Sequence, residues 1–263
     1  MSGFADNENP SIFNTAQILL GLLRTYRETG DERYANAAKK AADWLLSELQ
    51  NSGWKNYAYV SGFVPSYYTR VIWPTAAILK KFNLPGLKDL DDVLTHFCGM
   101  VNPDFAVVNW GFYPDRSAFL HTIAYTARGF LESGLILDRQ DAVLHAQNIA
   151  LRLAKEKSKH GKTAGSYDIS WQGDYSYRCV TGILQCAVLC FRLAEVGNRQ
   201  RFYPLALDFL AEAATIIPHR DPLTPAYALP GSVPLWGKYM RMKYPNWAAK
   251  FWLDAALYIL QKR

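Results

Sequence analysis

Apolar residues recur at every third or fourth position along most of the chain, which is the spacing of one face of an α-helix. The pattern predicts nine helices, separated by loops rich in Gly, Pro and aromatic residues. They are expected over residues 11–28, 31–49, 66–82, 87–100, 118–132, 139–155, 176–195, 199–217 and 246–261. The alternation that indicates strands does not persist over any useful length. The sequence therefore predicts an all-α protein.

The junctions between these helices alternate in length. The short ones carry a glycine where a left-handed helix C-cap is needed, at Gly30, Gly134 and Gly197, and Gly86 marks a further tight turn. These glycines fall roughly 50 to 60 residues apart, as expected of repeated helical hairpins. The longer loops span residues 51–65, 101–117, 158–175 and 218–245. Four hairpins and a ninth helix predict a single α/α-toroid domain over residues 1–263, short or incomplete, with the odd-numbered helices inside.

Polar and aromatic residues spaced three or four apart mark the beginnings of the five odd-numbered helices. They are Asn14 and Gln17; Tyr68, Arg70 and Trp73; His121 and Tyr125; Tyr177, Thr181 and Gln185; and Asn246, Lys250 and Asp254. Side chains at this spacing share one helix face. Because the long loops all lie on the same side of the hairpins, the five groups are expected to meet in one concave site.

Composition narrows the choice of partner. The 263 residues, 50% of them hydrophobic, suffice for one large core. The 8 tryptophans and 16 tyrosines exceed what a plain helical bundle needs, and aromatic rings serve both as core and as sugar platforms. A net charge of +6 suits an acidic partner such as a uronate polymer, a nucleic acid or a membrane surface. No phosphate loop, nucleotide fingerprint or nucleic-acid motif is present, so a nucleic-acid partner is not predicted.

The cellular location is inferred from the absence of targeting signals. No stretch reaches the roughly 18 to 20 apolar residues that span a bilayer, and the first ten residues are acidic and polar. A cytoplasmic protein is the expectation. Cys179, Cys186 and Cys190 share one apolar helix, where they act as small hydrophobic residues, and Cys98 lies elsewhere. No cluster completes the ligand set of a zinc site, so neither metal nor cofactor is predicted.

Five segments, taken in order, resemble motifs of bacterial α/α-toroid proteins of exopolysaccharide gene clusters, which are labelled as having prenyltransferase or squalene-cyclase-like repeats. The segments are residues 13–17, 68–73, 120–125, 179–185 and 244–251. This resemblance covers nearly the whole chain and implies a toroid fold and a role in exopolysaccharide biosynthesis. Members of the family carry further helices before the first segment. A second subunit that closes the toroid is one expectation, and an open cleft is the other.

A more distant resemblance links the chain to the helical domain of glucuronyl 5-epimerases and to α/α-toroid polysaccharide lyases, in which Tyr and His transfer protons beside a sugar carboxylate. That chemistry needs a base, an acid and groups that hold the carboxylate. The catalytic candidates are His121, Tyr125, Tyr175, Tyr177 and Asp115. The substrate-binding candidates are Asn14, Gln17, Tyr68, Arg70, Trp73, Trp171, Gln185, Asn246, Trp247 and Lys250. They predict a lyase or 5-epimerase acting on an acidic glycan.

Other functions stay open at this point. A glycoside hydrolase needs two carboxylates, which Asp115 with Asp168 or Asp174 could supply, although each also suits an ordinary loop or N-cap role. A non-catalytic glycan-binding or assembly protein is expected if the cleft is open and His121 packs away from it. Residues 89–92 match the acid motif of class II terpene cyclases in letters only, since acidic residues early in a helix also complement its dipole. Asp254, one turn after Lys250, is expected to form a buried ion pair with it.

Overall fold

A computed structural model describes residues 10–216 and 228–260. The described residues form nine α-helices and confirm the all-α class. They are α1 (Ile12–Thr29), α2 (Glu32–Ser52), α3 (Thr69–Phe82), α4 (Leu87–Gly99), α5 (Leu120–Leu137), α6 (Gln140–His160), α7 (Val180–Val196), α8 (Arg199–Ala214) and α9 (Asn246–Leu260). A short 3₁₀ helix, Ser66–Tyr68, precedes α3. The predicted ends at residues 217 and 261, and residues 218–227 of the last long loop, lie outside the described residues.

Two helix beginnings were predicted too early, because short strands occupy those positions. Strand β1 (Ala118–Phe119) pairs antiparallel with β2 (Ser166–Tyr167), and β3 (Arg178–Cys179) pairs antiparallel with β4 (Ser232–Val233). Each pair joins the residues before an odd-numbered helix to a long loop. The two strand pairs therefore fix how the loops approach the beginnings of α5 and α7.

The described residues form two compact units. Unit 1 contains the described residues up to Val101 together with Val107–Arg116 and Arg128–His145. Unit 2 contains Asn102–Ala106, Ser117–Ala127 and the described residues from Ala146 onward. The single domain expected over residues 1–263 stays a prediction. Among the described helices, none combines the length and the apolar content that a membrane span requires.

In unit 1, α1 packs against α2 and α3. Helix α1 begins at its N-cap Ser11, whose side chain accepts from the Asn14 amide, and ends at Gly30 with φ 68°. A later helix holds the beginning of α3. A Cβ atom added at Gly129 would lie 2.2 Å from Thr69 Oγ1 and 2.5 Å from the Arg70 nitrogen. The Ser133 hydroxyl donates to the Thr69 carbonyl at 3.0 Å, which ties the same two segments together.

Unit 2 is built around α7, which packs against α8 and α9. Nearly every residue of α7 is buried, from Val180 to Ala194. A helix that is apolar on all sides must be covered on all sides, so α7 is the core of this unit.

Two of the three predicted glycine C-caps, Gly134 and Gly197, need correction, whereas Gly86 does lie in the tight turn between α3 and α4. Gly134 does not end α5, which continues to Leu137; a Cβ there would lie 2.8 Å from the Arg139 carbonyl oxygen, so the glycine serves close packing, and Asp138 takes the left-handed conformation. Gly197 follows α7 with φ −154°, because the next residue, Asn198, already caps α8. Gly86 is left-handed but precedes α4, while Asn83 ends α3.

Candidate functional site

His121 lies in the first turn of α5 and is buried, with 7% of its surface exposed. Its Nδ1 is 3.1 Å from Oε1 of Gln185 on α7. An amide oxygen can only accept a hydrogen bond, so Nδ1 is the donor in this contact, and the neutral form of the ring is the Nδ1–H tautomer. A neutral imidazole in this tautomer has the form that can accept a proton at Nε2.

A glycine brings these two helices together. A Cβ atom added at Gly182 would lie 2.7 Å from the His121 nitrogen and 2.8 Å from the Leu120 carbonyl carbon. Gln185 follows three residues later, almost one helical turn on, and therefore faces His121. The sequence had predicted both side chains as site residues, and the structure brings them into contact. The Nε2 atom of Gln185 is buried and has no hydrogen-bond partner within the described ranges.

Two tyrosine rings contact the imidazole. The ring centre of Tyr125 lies 4.3 Å from that of His121, and the ring centre of Tyr239 lies 5.2 Å from it. Phe251 contacts the far side of Tyr125 at 6.3 Å. Burial raises the pKa of Tyr239 well above its ordinary value, so this side chain stays a neutral phenol that can donate a proton.

Tyr239 is the functional candidate that sequence reasoning missed. It lies in a long loop, where no helical spacing marks it. The pairing of β3 with β4 places this loop beside α7, and the Val180 nitrogen donates to the Gly231 carbonyl at 3.2 Å. The indole nitrogen of Trp247 donates to the Tyr239 hydroxyl at 3.1 Å. The one sequence signal was its position shortly before the 244–251 motif.

The other two tyrosine candidates, Tyr175 and Tyr177, pack against different residues from those around His121. Tyr177 is buried against Gly165 and Gly237, where added Cβ atoms would lie 2.2 Å from its ring and 2.7 Å from its Cβ. Burial raises its pKa, although a hydrogen bond with Ser166 opposes this. Tyr175 stacks on His160 with ring centres 4.1 Å apart. Both rings line the loop between β2 and β3 and serve its packing.

The carboxylates proposed for a hydrolase are engaged in local hydrogen bonds. Asp168 Oδ1 accepts from the Ser170 and Gln172 nitrogens, both at 2.8 Å. Asp174 Oδ1 accepts from the Ser176 nitrogen at 3.0 Å, and its Oδ2 lies 2.6 Å from Lys238 Nζ. Both residues therefore shape loops. Asp115 is exposed and has φ 55°. In the tetrad at residues 89–92, Asp91 pairs with Arg139 at 2.8 Å and Asp92 with Lys88 at 2.9 Å.

The ion pair of Asp174 gives an acid-dependent contribution to stability. Burial alone would raise the pKa of Asp174, but the bonds from Lys238 and Ser176 outweigh it and hold the pKa below its ordinary value. A lowered pKa stabilises the fold above the unfolded-state value, near pH 4, and this contribution is lost as pH falls. Because Lys238 is largely exposed, Asp174→Asn should lower the free energy of unfolding by only about 0.5–1 kcal/mol at neutral pH.

Denaturant titrations at a series of pH values check this expectation. The difference between wild type and Asp174→Asn should shrink towards pH 2, where both carry a neutral side chain. Asp43→Asn changes an exposed aspartate on α2 and serves as the control. A difference that stays constant with pH would show that Asp174 acts only through the shape of its loop.

In unit 1 the structure brings together three of the predicted binding residues. Gln17 Nε2 donates to the Arg70 carbonyl at 3.1 Å, and Arg70 Nε donates to Gln17 Oε1 at 3.0 Å. The guanidinium groups of Arg70 and Arg128 lie 5.3 Å and 5.5 Å from the Trp73 ring. Tyr68, which precedes Arg70 by two residues, is buried, and this burial raises its pKa to about 12.

The remaining binding candidates differ in accessibility. Asn14 and Asn246 are exposed, and Trp247 is 38% exposed. Trp171 is buried, with Arg152 over its ring at 5.4 Å and its indole nitrogen donating to the Asp104 carbonyl. Lys250 pairs with Asp254 at 2.5 Å, as predicted, but at the surface and not in the core. That all five helix beginnings share one site stays a prediction.

The cysteines behave as small hydrophobic residues. Cys179, Cys186 and Cys190 are buried, and burial raises the pKa of the Cys179 thiol to about 12. Such thiols are inert. Across residues 10–216 and 228–260, no three His, Cys, Asp or Glu side chains are grouped so that they could hold a metal ion.

No protein-family model matches the sequence, and no curated protein matches it either. Solved structures do match. The chain is similar to an unsaturated glucuronyl hydrolase specific for heparin, at 15% identity and a TM-score of 0.75, over 95% of this chain and 76% of that one. It is similar to a D-mannose isomerase at 12% identity and a TM-score of 0.70, over 96% and 70%. An alpha-1,6-mannanase, GH76A from Salegentibacter sp. HEL1_6, matches at 16% identity and a TM-score of 0.65, over 96% and 72%.

At identities of 12–16%, the similarity shows the fold alone. The finer resemblance to proteins of exopolysaccharide gene clusters stays a prediction. The chain is an all-α protein with the α/α-toroid fold, as its helical hairpins predicted.

Proposed function

We propose that this chain is an enzyme that acts on a uronate-containing glycan, and that His121 moves a proton at the sugar carbon next to the carboxylate. The observation that carries the proposal is the contact between His121 Nδ1 and the Gln185 amide, with the rings of Tyr125 and Tyr239 packed against the imidazole. Base, orienting group and phenolic acid are thereby assembled from the beginnings of two helices and one loop.

The chemistry assigns a role to each group. His121 Nε2 takes the proton from carbon 5, and the electron pair of the broken C–H bond forms a double bond to the carboxylate carbon, with the charge moving onto the carboxylate oxygens. In a lyase this pair then forms a double bond as the glycosidic oxygen leaves with a proton from a phenol. In an epimerase a proton returns to carbon 5 from the opposite face. Tyr125 and Tyr239 are the phenols beside His121 that can supply this proton.

Gln185 has a second role in this account. Its Oε1 orients His121, while its buried Nε2 has no hydrogen-bond partner in the described part of the chain. A buried N–H donor without a partner is costly, typically by about 1–3 kcal/mol. A substrate oxygen that accepts from this atom would remove the cost on binding. Gln185 therefore suits a neutral holder of the sugar carboxylate or of a ring hydroxyl.

The structural comparisons are compatible with this proposal without deciding it. The named proteins are two glycan hydrolases and a sugar isomerase, so the fold is associated with both hydrolysis and isomerisation. These two kinds of reaction must therefore be distinguished by the side chains of the site. The net charge of +6 fits an acidic glycan. A cytoplasmic location, a place in exopolysaccharide biosynthesis and a second subunit closing the toroid belong to the same proposal and rest on the sequence alone.

Glycoside hydrolysis is the second candidate function, and the hydrolases among the similar structures favour it. It requires two carboxylates across the glycosidic bond. Asp168 accepts two backbone bonds at Oδ1, and Asp174 is bonded to Ser176 and paired with Lys238, whereas Asp115 is exposed. The geometry around His121 is more complete, so proton transfer is the preferred proposal.

Incubation with defined polymers separates these functions. The purified protein would be mixed with polygalacturonate, alginate, a glucuronate-containing polymer and dextran, and both ultraviolet absorbance and new reducing ends would be followed. Absorbance from an unsaturated uronate is expected for a lyase, and altered sugar configuration without cleavage for an epimerase. Reducing ends without unsaturation would establish hydrolysis. No change in any polymer would favour a glycan-binding or assembly role.

A further inference from the structure

An exposed aromatic surface lies on two loops of unit 1. We call Tyr59, Phe112, Tyr113 and Arg116 the aromatic platform. The side chains of Tyr59 and Tyr113 are 67% and 45% exposed. The Tyr59 ring centre lies 5.7 Å from that of Phe112 and 6.1 Å from that of Tyr113. Large aromatic rings grouped at the surface mark binding sites more often than single exposed apolar residues do.

Buried contacts hold the aromatic platform in place. The buried ring of Tyr67 lies 5.7 Å from Phe112 and 5.3 Å from Phe13 on α1. The Ser66 nitrogen donates to the Asn109 carbonyl at 2.9 Å, which fixes the second loop against the 3₁₀ helix. These contacts hold the rings in place before a ligand binds. Stacking on them therefore costs little conformational entropy.

Arg116 gives the platform a positive edge. Its guanidinium carbon lies 5.5 Å from the centre of the Tyr113 ring, and the side chain is exposed. It forms no ion pair with any residue that the structure describes. A guanidinium stacked on a ring keeps its N–H groups directed outward in the plane, where a carboxylate can accept two of them.

We propose that the aromatic platform binds a carboxylated glycan, with one sugar ring stacked on Tyr59 and a carboxylate on Arg116. The identity of this glycan rests on the proposed function, and the platform is a binding site in addition to the His121 cluster. The phenolic hydroxyls of Tyr59 and Tyr113 give the platform polar ring edges that suit sugar hydroxyls. Single-stranded nucleic acid also stacks on aromatic rings, but it requires a positive groove along its backbone. The platform offers one arginine, next to the acidic Asp115.

Binding of oligogalacturonate and oligoalginate, measured calorimetrically, tests the proposal without reference to turnover. Tyr59→Ala should weaken binding roughly three- to tenfold, because one stacked ring is lost. Tyr59→Phe keeps the ring and should bind nearly as wild type does. Arg116→Ala should weaken binding of the uronate oligomers by a similar factor while leaving any binding of neutral dextran oligomers unchanged.

Two matched controls lie outside the platform. Leu144→Ala removes an exposed apolar side chain on α6, and Arg201→Ala removes an exposed positive charge on α8; both should bind as wild type does. Melting curves verify that each variant is folded. Unchanged affinity in both Tyr59→Ala and Arg116→Ala, no uronate binding by wild type, or tighter binding of oligothymidylate would each overturn the proposal. Binding that persists without turnover of any polymer would count against the His121 proposal alone.

Discussion

Replacing His121 with alanine is expected to lower the rate of proton abstraction from a uronate substrate by about 10²–10⁴-fold, the usual contribution of a positioned base. The imidazole contacts two tyrosine rings and is oriented by Gln185, and it is the one imidazole of this cluster among the described residues. The measurement is the initial rate on the polymer that the wild type converts, at saturating and at low concentration. The loss should appear in kcat.

Two further variants make the His121 result interpretable. His96→Ala removes an exposed histidine on α4 and should retain wild-type activity. Gln185→Met keeps the length of the side chain but removes the acceptor for Nδ1, so kcat should fall by roughly tenfold or more because the tautomer is no longer fixed. A His121→Ala variant that folds and keeps most of its rate would remove the imidazole from the mechanism.

Gly129→Ala is expected to destabilise the fold by about 2–4 kcal/mol, a large effect for the addition of one methyl group. The new Cβ would lie 2.4 Å from the Thr69 carbonyl carbon and 2.5 Å from the Arg70 nitrogen. Both are backbone atoms at the beginning of α3 and cannot turn aside as a flexible side chain can. The helices must separate, at the cost of the packing and of the Ser133 bond to Thr69.

Urea unfolding of Gly129→Ala and Gly21→Ala measures this effect against a matched control. Gly21 lies in the middle of α1, and an added Cβ there has no atom within 4 Å. Alanine is the better helix former by about 1 kcal/mol, so Gly21→Ala should be neutral or stabilising. Equal stability of the two variants would contradict the close contact between Gly129 and Thr69.

The helices were the predictable part of this structure because their signal is local. Apolar spacing located all nine helices of the described ranges, and Gly30 was recognised as the cap of α1. Strands β1 and β3 were missed because each has two residues, and their pairing depends on partners such as Val233, which lies 55 positions after Arg178. No periodicity can develop over two residues.

The site was predictable only where it follows helical spacing. His121, Tyr125 and Gln185 each lie near a helix beginning, and the structure brings His121 into contact with the other two. Tyr239 contacts the same imidazole from a loop. The pairing of β3 with β4 positions that loop, and this pairing could not be predicted from the sequence. Gly134 and Gly182 show the same limit. A sequence shows that a side chain is absent, but only the fold shows which neighbouring helix occupies the space.

The fate of the proton at carbon 5 tests the central claim most directly. Wild type, His121→Ala and His96→Ala would be incubated in heavy water with a uronate polymer, and the carbon-5 proton signal would be followed by nuclear magnetic resonance. Proton abstraction at His121 predicts that the signal is lost with wild type and His96→Ala, to deuterium in an epimerase or to a double bond in a lyase, and persists with His121→Ala. Cleavage of the polymer by wild type with the carbon-5 proton retained would contradict the account.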